Sequence, residues 1–200
     1  MTKQTITEFD SVSIKNASIQ FKKNGKQEPG TKFGCLGNLD TETEVIEITK
    51  KCEGIEVKKK SKAVKIKVTV AAHIPVQVAR DYFGLSTSGL KPGVWAYGSM
   101  SKGYDFVFTA DIIDEFEDIV KLIAFSNCTN ATGLKFAIEN GADEVALMEL
   151  EFAALADNLN NIYYESLVAE LEDSSVAEKW HTQFTTELVT PDKQESPTKK

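Results

Sequence analysis

The chain has 200 residues, 42% of them hydrophobic and 26% charged, with a formal net charge of −7. This composition predicts one globular domain, or at most two small ones, and excludes a chain that is disordered throughout. The longest apolar run, residues 152–156, is too short to span a membrane, and the N-terminus lacks the apolar region of a secretory signal. We therefore expect a chain that assembles in the cytoplasm and does not insert into membranes.

The charge is unevenly distributed along the chain. Residues 1–73 carry 14 Lys and Arg against 9 Asp and Glu, whereas residues 74–200 carry 9 against 21. Such asymmetry fits polyanion binding, self-assembly through unlike surfaces, or merely uneven loops, and composition alone does not choose among them.

The first half of the sequence predicts strands, because its apolar residues alternate with polar ones. The alternation of residues 12–21 slips near Asn16, as at a β-bulge. Residues 64–74 alternate most regularly and predict a long strand with one face in water. Weaker strands are predicted at 44–49 and 55–59, and a long loop at 25–37.

A basic run begins at the end of the predicted strand 55–59 and comprises Lys58, Lys59, Lys60 and Lys62. It has no interleaved aromatic residues on which bases could stack, which argues against nucleic-acid binding. We interpret it as a charged hairpin tip that contacts either an acidic neighbouring subunit or only water.

One helix is predicted at about residues 75–83. Pro75 suits the first helical position, and Gly84 suits the left-handed cap at the end. Its buried stripe would consist of Val78, Ala79, Tyr82 and Phe83.

The second half predicts further strands separated by turn residues, so an antiparallel meander of hairpins is expected. In the last of them, Glu149 and Glu151 alternate with apolar residues and must face away from the core. The strands are predicted at 94–97, 104–113, 120–125, 134–139 and 146–154.

A second helix is predicted at residues 174–184, with Ser174 or Ser175 as its N-cap and Glu178 completing a capping box. Residues 190–200 contain two prolines and no large apolar residue, and they predict a disordered tail.

The sequence offers no constellation of catalytic groups. His73 and His181 each lack a second histidine nearby, and both are interpreted as structural or surface residues. The acidic turn at 114–118 lacks the glycine and the terminal Glu of a calcium loop. Cys35, Cys52 and Cys128 are too far apart for a disulfide framework or a metal pair, and we expect free, mostly buried thiols. We therefore predict no catalytic, cofactor or metal site and no enzymatic activity.

The order of elements resembles the major tail protein, or tail tube protein, of long-tailed, non-contractile phages of Gram-positive bacteria. The resemblance covers about residues 36–170 and rests on a succession of phrases rather than on one short motif. These phrases are AAHIPVQVARDYFGL at 71–85, LKPGVWAYG at 90–98, YDFVFTADIID at 104–114, VKLIAFSNC at 120–128, TGLKFAIENGADEVALMELEF at 132–152 and NIYYESLV at 161–168.

The resemblance implies a mainly β fold: an antiparallel β-sandwich or barrel of the tail-tube type, with one flanking helix and flexible termini. Residues 1–189 would be a single domain, with an N-terminal arm of about 1–35, a core of about 36–170 and a C-terminal segment of 171–189.

The implied function is structural. The chain would form hexameric rings that stack into the tail tube of the virion, the conduit for genome delivery into the host. Its partners would be itself, the tail-length regulator, the tail terminator and baseplate proteins, while viral DNA passes through without specific binding. An acidic lumen suits such a conduit, because its negative charge repels the phosphates of DNA.

Two sets of residues receive roles on this basis. Lys58, Lys59, Lys60 and Lys62 are candidates for contacts between subunits, and Glu149 and Glu151 are candidates for the lumen of the tube. Solvent outside the tube would satisfy the two glutamates equally well. The alternative function is a monomeric β-sandwich binding module of a phage baseplate or receptor-binding apparatus.

Overall fold

The computed structural model describes residues 6–116, 118–135 and 145–191. Over these residues the protein is mainly β, with nine strands in one antiparallel sheet and a few short helices, and the predicted fold class is confirmed. The strands are β1 Ser11–Lys23, β2 Lys26–Gln27, β3 Thr31–Lys32, β4 Cys35–Cys52, β5 Ile55–His73, β6 Asp105–Asp114, β7 Val120–Asn130, β8 Met148–Leu155 and β9 Tyr164–Leu167. The helices are α1 Val76–Phe83, α2 Ser174–Trp180 and α3 Thr186–Val189, with a 3-10 turn at Val168–Glu170.

The strand order is β2-β1-β6-β7-β8-β5-β4, with β3 also paired to β1 and β9 to β7. The hairpins β4–β5 and β6–β7 agree with the expected meander, but β1 pairs with β6 and β5 with β8, so the sheet as a whole is not a meander. The sheet curls until β4 lies near β1, and the Phe33 amide donates to the Ala17 carbonyl at 2.9 Å. In this barrel-like order, β4 and β5 lie across the molecule from β7 and β6.

The inner face of the curled sheet holds the main core, to which every long strand except β4 contributes fully buried side chains. Its centre is aromatic: Phe106, Phe108, Phe125 and Phe152 meet with ring centroids 5.2–6.5 Å apart. Each such side chain stabilises the fold by about 1.5–3 kcal/mol through burial.

The bulge predicted near Asn16 is confirmed. Asn16 has a φ of 52°, and the register of β1 against β6 shifts between Lys15 and Ser18. The Asn16 side chain donates to Asp111 Oδ2 at 2.7 Å, which holds the bulge against β6. These residues belong to β1 and lie within the range 1–35 for which the resemblance implies an N-terminal arm.

The helix predicted at about 75–83 is also confirmed, as α1. Pro75 is its N-cap rather than its first helical residue, and Gly84 ends it with a φ of 68°. A Cβ on Gly84 would overlap the Lys102 carbonyl, so glycine is required there by space as well as by backbone conformation. The Tyr82 hydroxyl donates to the Glu151 carbonyl at 2.7 Å and ties α1 to β8. Burial raises the pKa of this hydroxyl well above its ordinary range.

Several predicted elements differ from the structure. The loop predicted at 25–37 contains β2 and β3, and the strands predicted at 44–49 and 55–59 are parts of much longer strands. The strand predicted at 94–97 is absent: Ala96 makes one isolated bridge to Ser86, while Trp95 packs 4.4 Å from the Arg80 guanidinium on α1. Residues 133–135 form no strand, and residues 136–141 of that predicted hairpin lie outside the described residues.

The second helix is shorter than predicted and has a different cap. The Asp173 carboxylate, not Ser174 or Ser175, caps α2 by accepting from the Ser175 amide at 2.9 Å. The chain turns at His181 and continues as α3. Trp180 and Phe184 bury themselves against the outer face of β6 and β7, where they form a second core with Val107, Leu122 and Ala124. Most of the predicted tail lies outside the described residues.

Candidate assembly surface

The β4–β5 hairpin extends far beyond the rest of the sheet. Leu155 at the end of β8 pairs with Lys65, and among the described residues β5 pairs only with β4 from residue 64 to the tip. We call residues 45–64 the arm. Its strands are about 30 Å long at 3.3 Å per residue, and nearly all its side chains are exposed.

The tip of the arm is the turn Glu53–Gly54, in which Glu53 has a φ of 51° and Gly54 a φ of 84°. Two successive positive φ values are characteristic of the two-residue hairpin turn that matches strand twist. The prediction that the lysine run forms the hairpin tip is therefore wrong: the run lies along β5, several residues beyond the turn.

The predicted lysines divide between the two faces of the arm, because side chains in a strand alternate. Lys58, Lys60 and Lys62 pair across the hairpin with Lys50, Ile48 and Ile46, respectively. Lys59 points to the other face, where its ammonium lies 2.7 Å from Glu47. We call the first set, Lys50, Lys58, Lys60, Lys62, Ile46 and Ile48, the basic face.

The basic face combines like charge with exposed apolar surface. Ile46 and Ile48 are 57% and 60% exposed, and no acidic side chain belongs to this set. Like charges directly opposite each other, as Lys50 and Lys58 are, destabilise a strand pair. Exposure of this face to water is therefore unfavourable, and the face is suited to a partner that is acidic and partly apolar.

The arm also presents open strand edges. Within the described residues β4 has a backbone partner on one side only, and the arm portion of β5 likewise pairs only with β4. Such edges are templates for pairing with another chain, and lysines along them limit uncontrolled association.

Glu149 and Glu151 lie on the outer face of β8, away from the core, and each meets a lysine. Glu151 lies 2.9 Å from Lys67, and Glu149 lies 3.0 Å from Lys135. The Glu151 carboxylate raises the pKa of the Lys67 ammonium. This surface therefore consists of ion pairs rather than unbalanced negative charge. That Glu149 and Glu151 line a lumen stays a prediction.

The two histidines and the acidic turn that the sequence analysis considered do not form a shared site in the described residues. His181 lies 2.9 Å from Thr109 Oγ1 and 2.8 Å from Asp111 Oδ1, and His73 is exposed at the end of β5. In the acidic turn Asp114 is buried and accepts from the Asp10 amide at 2.7 Å, while Glu117 lies outside the described residues.

The three cysteines are free, but the expectation of mostly buried thiols is wrong: Cys128 is buried, whereas Cys35 and Cys52 are exposed. Burial raises the pKa of the Cys128 thiol well above its ordinary range. Among residues 6–116, 118–135 and 145–191, no three His, Cys, Asp or Glu side chains are grouped as a metal site requires. No helix in these ranges is long and apolar enough to cross a membrane.

Sequence reasoning missed the contribution of β4 to this surface. Ile46, Ile48 and Lys50 alternate in the sequence, and the Glu-Gly pair at 53–54 lies where a tight turn would place them opposite the lysines. Reading that pair as a hairpin signal would have identified the basic face.

No family model and no curated protein matches the chain. One solved structure that resembles it is the cap of the anti-feeding prophage, described as a tube terminating cap, with 11% sequence identity and a TM-score of 0.41. The match covers 83% of this chain and 97% of the cap chain. A likeness this weak supports no conclusion about function.

Proposed function

We propose that this protein is a structural subunit of a phage tail, which self-assembles into hexameric rings that stack as the tail tube. The observation that carries the proposal is the arm, a hairpin about 30 Å long at the usual rise per residue that projects from the sheet with exposed side chains and open edges. The role is mechanical and requires no catalytic group or cofactor.

The arm gains stability from association. A two-stranded hairpin alone in water is marginally stable at best. Ile46, Ile48, Ile55 and Val57 are each more than half exposed, and burying such a side chain completely contributes about 1.5–3 kcal/mol. A second subunit placed against the arm would supply that burial and pair its open edges.

The distribution of aromatic residues favours this role over the monomeric binding module. A binding module displays aromatics on loops, whereas Phe21, Phe33, Phe106, Phe108 and Phe152 are all buried in the core. Among the described aromatics Tyr97, Tyr104 and Phe116 are exposed; Tyr97 and Tyr104 lie between α1 and β6, and Phe116 follows β6.

The sequence resemblance supplies the rest of the proposal. In the virion the protein would contact further copies of itself, the tail-length regulator, the tail terminator and baseplate proteins. Viral DNA would pass through the tube without specific binding, and assembly would take place in the host cytoplasm. Glu149 and Glu151 remain candidates for the lumen.

Deletion of the arm tests the proposal. Glu44 and Lys65 are directly opposite each other, so residues 45–64 can be replaced by Asn-Gly, a sequence suited to a two-residue hairpin turn. We expect wild-type protein to sediment as large assemblies at high concentration and the arm-deleted variant to remain a folded monomer.

The control for folding is the far-ultraviolet circular dichroism and thermal transition of the variant, since the arm contributes nothing to the core. A wild-type chain that stays at 22.1 kDa at every concentration, or a variant that assembles equally well, would contradict the proposal.

A further inference from the structure

The wall of the barrel opposite the arm is covered by an acidic segment. Residues 164–190 contain six Asp and Glu against one lysine, Lys179. All six are exposed, and we call Glu170, Asp173 and Glu178, which lie in or next to the 3-10 turn and α2, the acidic wall. Glu165 is not part of this wall, because it pairs with Ile123 and shares its inner face, 3.8 Å from the Lys121 ammonium.

The fold holds this segment firmly in place. The Trp180 indole N–H donates to the Ile123 carbonyl at 3.0 Å, and the Phe184 amide donates to Gln20 Oε1 at 2.9 Å. β9 pairs with residues 121–124 of β7. The acids are therefore displayed on a fixed surface over β6 and β7.

The basic face and the acidic wall lie on opposite sides of one molecule. The strand order places β4 and β5 across the sheet from β7 and β6. Because β8 is antiparallel to both β5 and β7, the start of β7, where β9 pairs, lies at the same end of the barrel as the arm. The two surfaces are thus at similar heights and point away from each other, so the basic face cannot reach the acidic wall of its own subunit.

We infer that the basic face of one subunit binds the acidic wall of the next, and that this contact joins subunits side by side. The inference rests on the proposed function, from which it takes a second copy as the partner. The chemistry is complementary beyond charge, because Val168, 40% exposed, lies in the same 3-10 turn as Glu170 and offers apolar surface to Ile46 and Ile48.

The geometry of this contact determines the type of assembly. Two different surfaces on one molecule form a head-to-tail interface, which repeats with a fixed rotation and closes into a ring when the rotation permits. Charge pairing of this kind mainly accelerates and orients association, and it weakens with salt because the screening length is about 8 Å at physiological ionic strength.

Charge reversal on the two faces of the arm tests the inference. The variant Lys58→Glu/Lys60→Glu changes the basic face, and the matched control Lys51→Glu/Lys59→Glu makes the same charge change on the other face. We expect the first variant to raise the concentration needed for assembly at least tenfold and the control to change it less than threefold.

A complementary variant makes the test specific for the partner. Glu170→Lys/Glu178→Lys reverses part of the acidic wall and should also fail to assemble alone. An equimolar mixture of this variant with Lys58→Glu/Lys60→Glu should assemble, because each reversed surface then meets an opposite charge.

Three results would overturn the inference. One is that Lys58→Glu/Lys60→Glu assembles at the same concentration as wild type. Because wild type still forms tubes in that case, the proposed function would not be contradicted. Another is a mixture that assembles no better than either variant alone. The third is wild-type assembly by Lys58→Glu/Lys60→Glu together with loss of binding to a labelled DNA duplex, which would make the basic face a nucleic-acid site. Failure of wild type itself to assemble would refute the proposed function as well.

Discussion

Asp111 links three parts of the chain through one carboxylate. Its Oδ2 accepts from Asn16 in the β1 bulge, and its Oδ1 lies 2.8 Å from Nε2 of His181, beyond the end of α2. The carboxylate is buried on the outer face of β6. A strand, its bulge and the C-terminal segment therefore depend on one side chain.

Replacing Asp111 by Ala should destabilise the protein by about 1–3 kcal/mol, because the Asn16 amide and the half-buried His181 ring lose the buried carboxylate that they contact. Urea unfolding measures the change, with Asp118→Ala, at an exposed position, as the control. If the two variants unfold at the same urea concentration, Asp111 does not hold the segment as described.

At the scale of elements, the arm depends on its turn. Gly54 has a φ of 84°, a conformation that costs an L-residue about 1–2 kcal/mol. Gly54→Ala should therefore loosen the arm without affecting the barrel. Hydrogen exchange should become faster for amides of residues 45–64 and stay unchanged for β6 and β7.

Gly98→Ala is the control for this prediction, because a Cβ there has open space and Gly98 does not have a positive φ. Unchanged exchange throughout the arm of Gly54→Ala would show that the turn does not determine its stability.

Sequence patterns were most informative where the cause of structure is local. The slip at Asn16, the glycine that ends α1 and the alternation of β5 all depend on neighbouring residues and could be predicted. The burial of Val107 and Thr109 could not, because it depends on α2 and the C-terminal segment covering β6 from far along the chain. The lysine run was found for the same local reason, but its division between two faces depends on the register with β4.

At the scale of the whole molecule, the uneven charge of the sequence becomes a spatial arrangement. Six of the 14 lysines of the first part lie on the arm, and many acids of the second part lie across the barrel. On the proposed function, this polarity directs each subunit to bind the next in one orientation and leaves little net attraction for DNA.

Electron microscopy of concentrated, purified wild-type protein in negative stain tests the central claim most directly. The account predicts hollow tubes built from repeating rings, or separate rings at lower concentration. A uniform population of single 22.1 kDa particles after prolonged incubation at high concentration would contradict it.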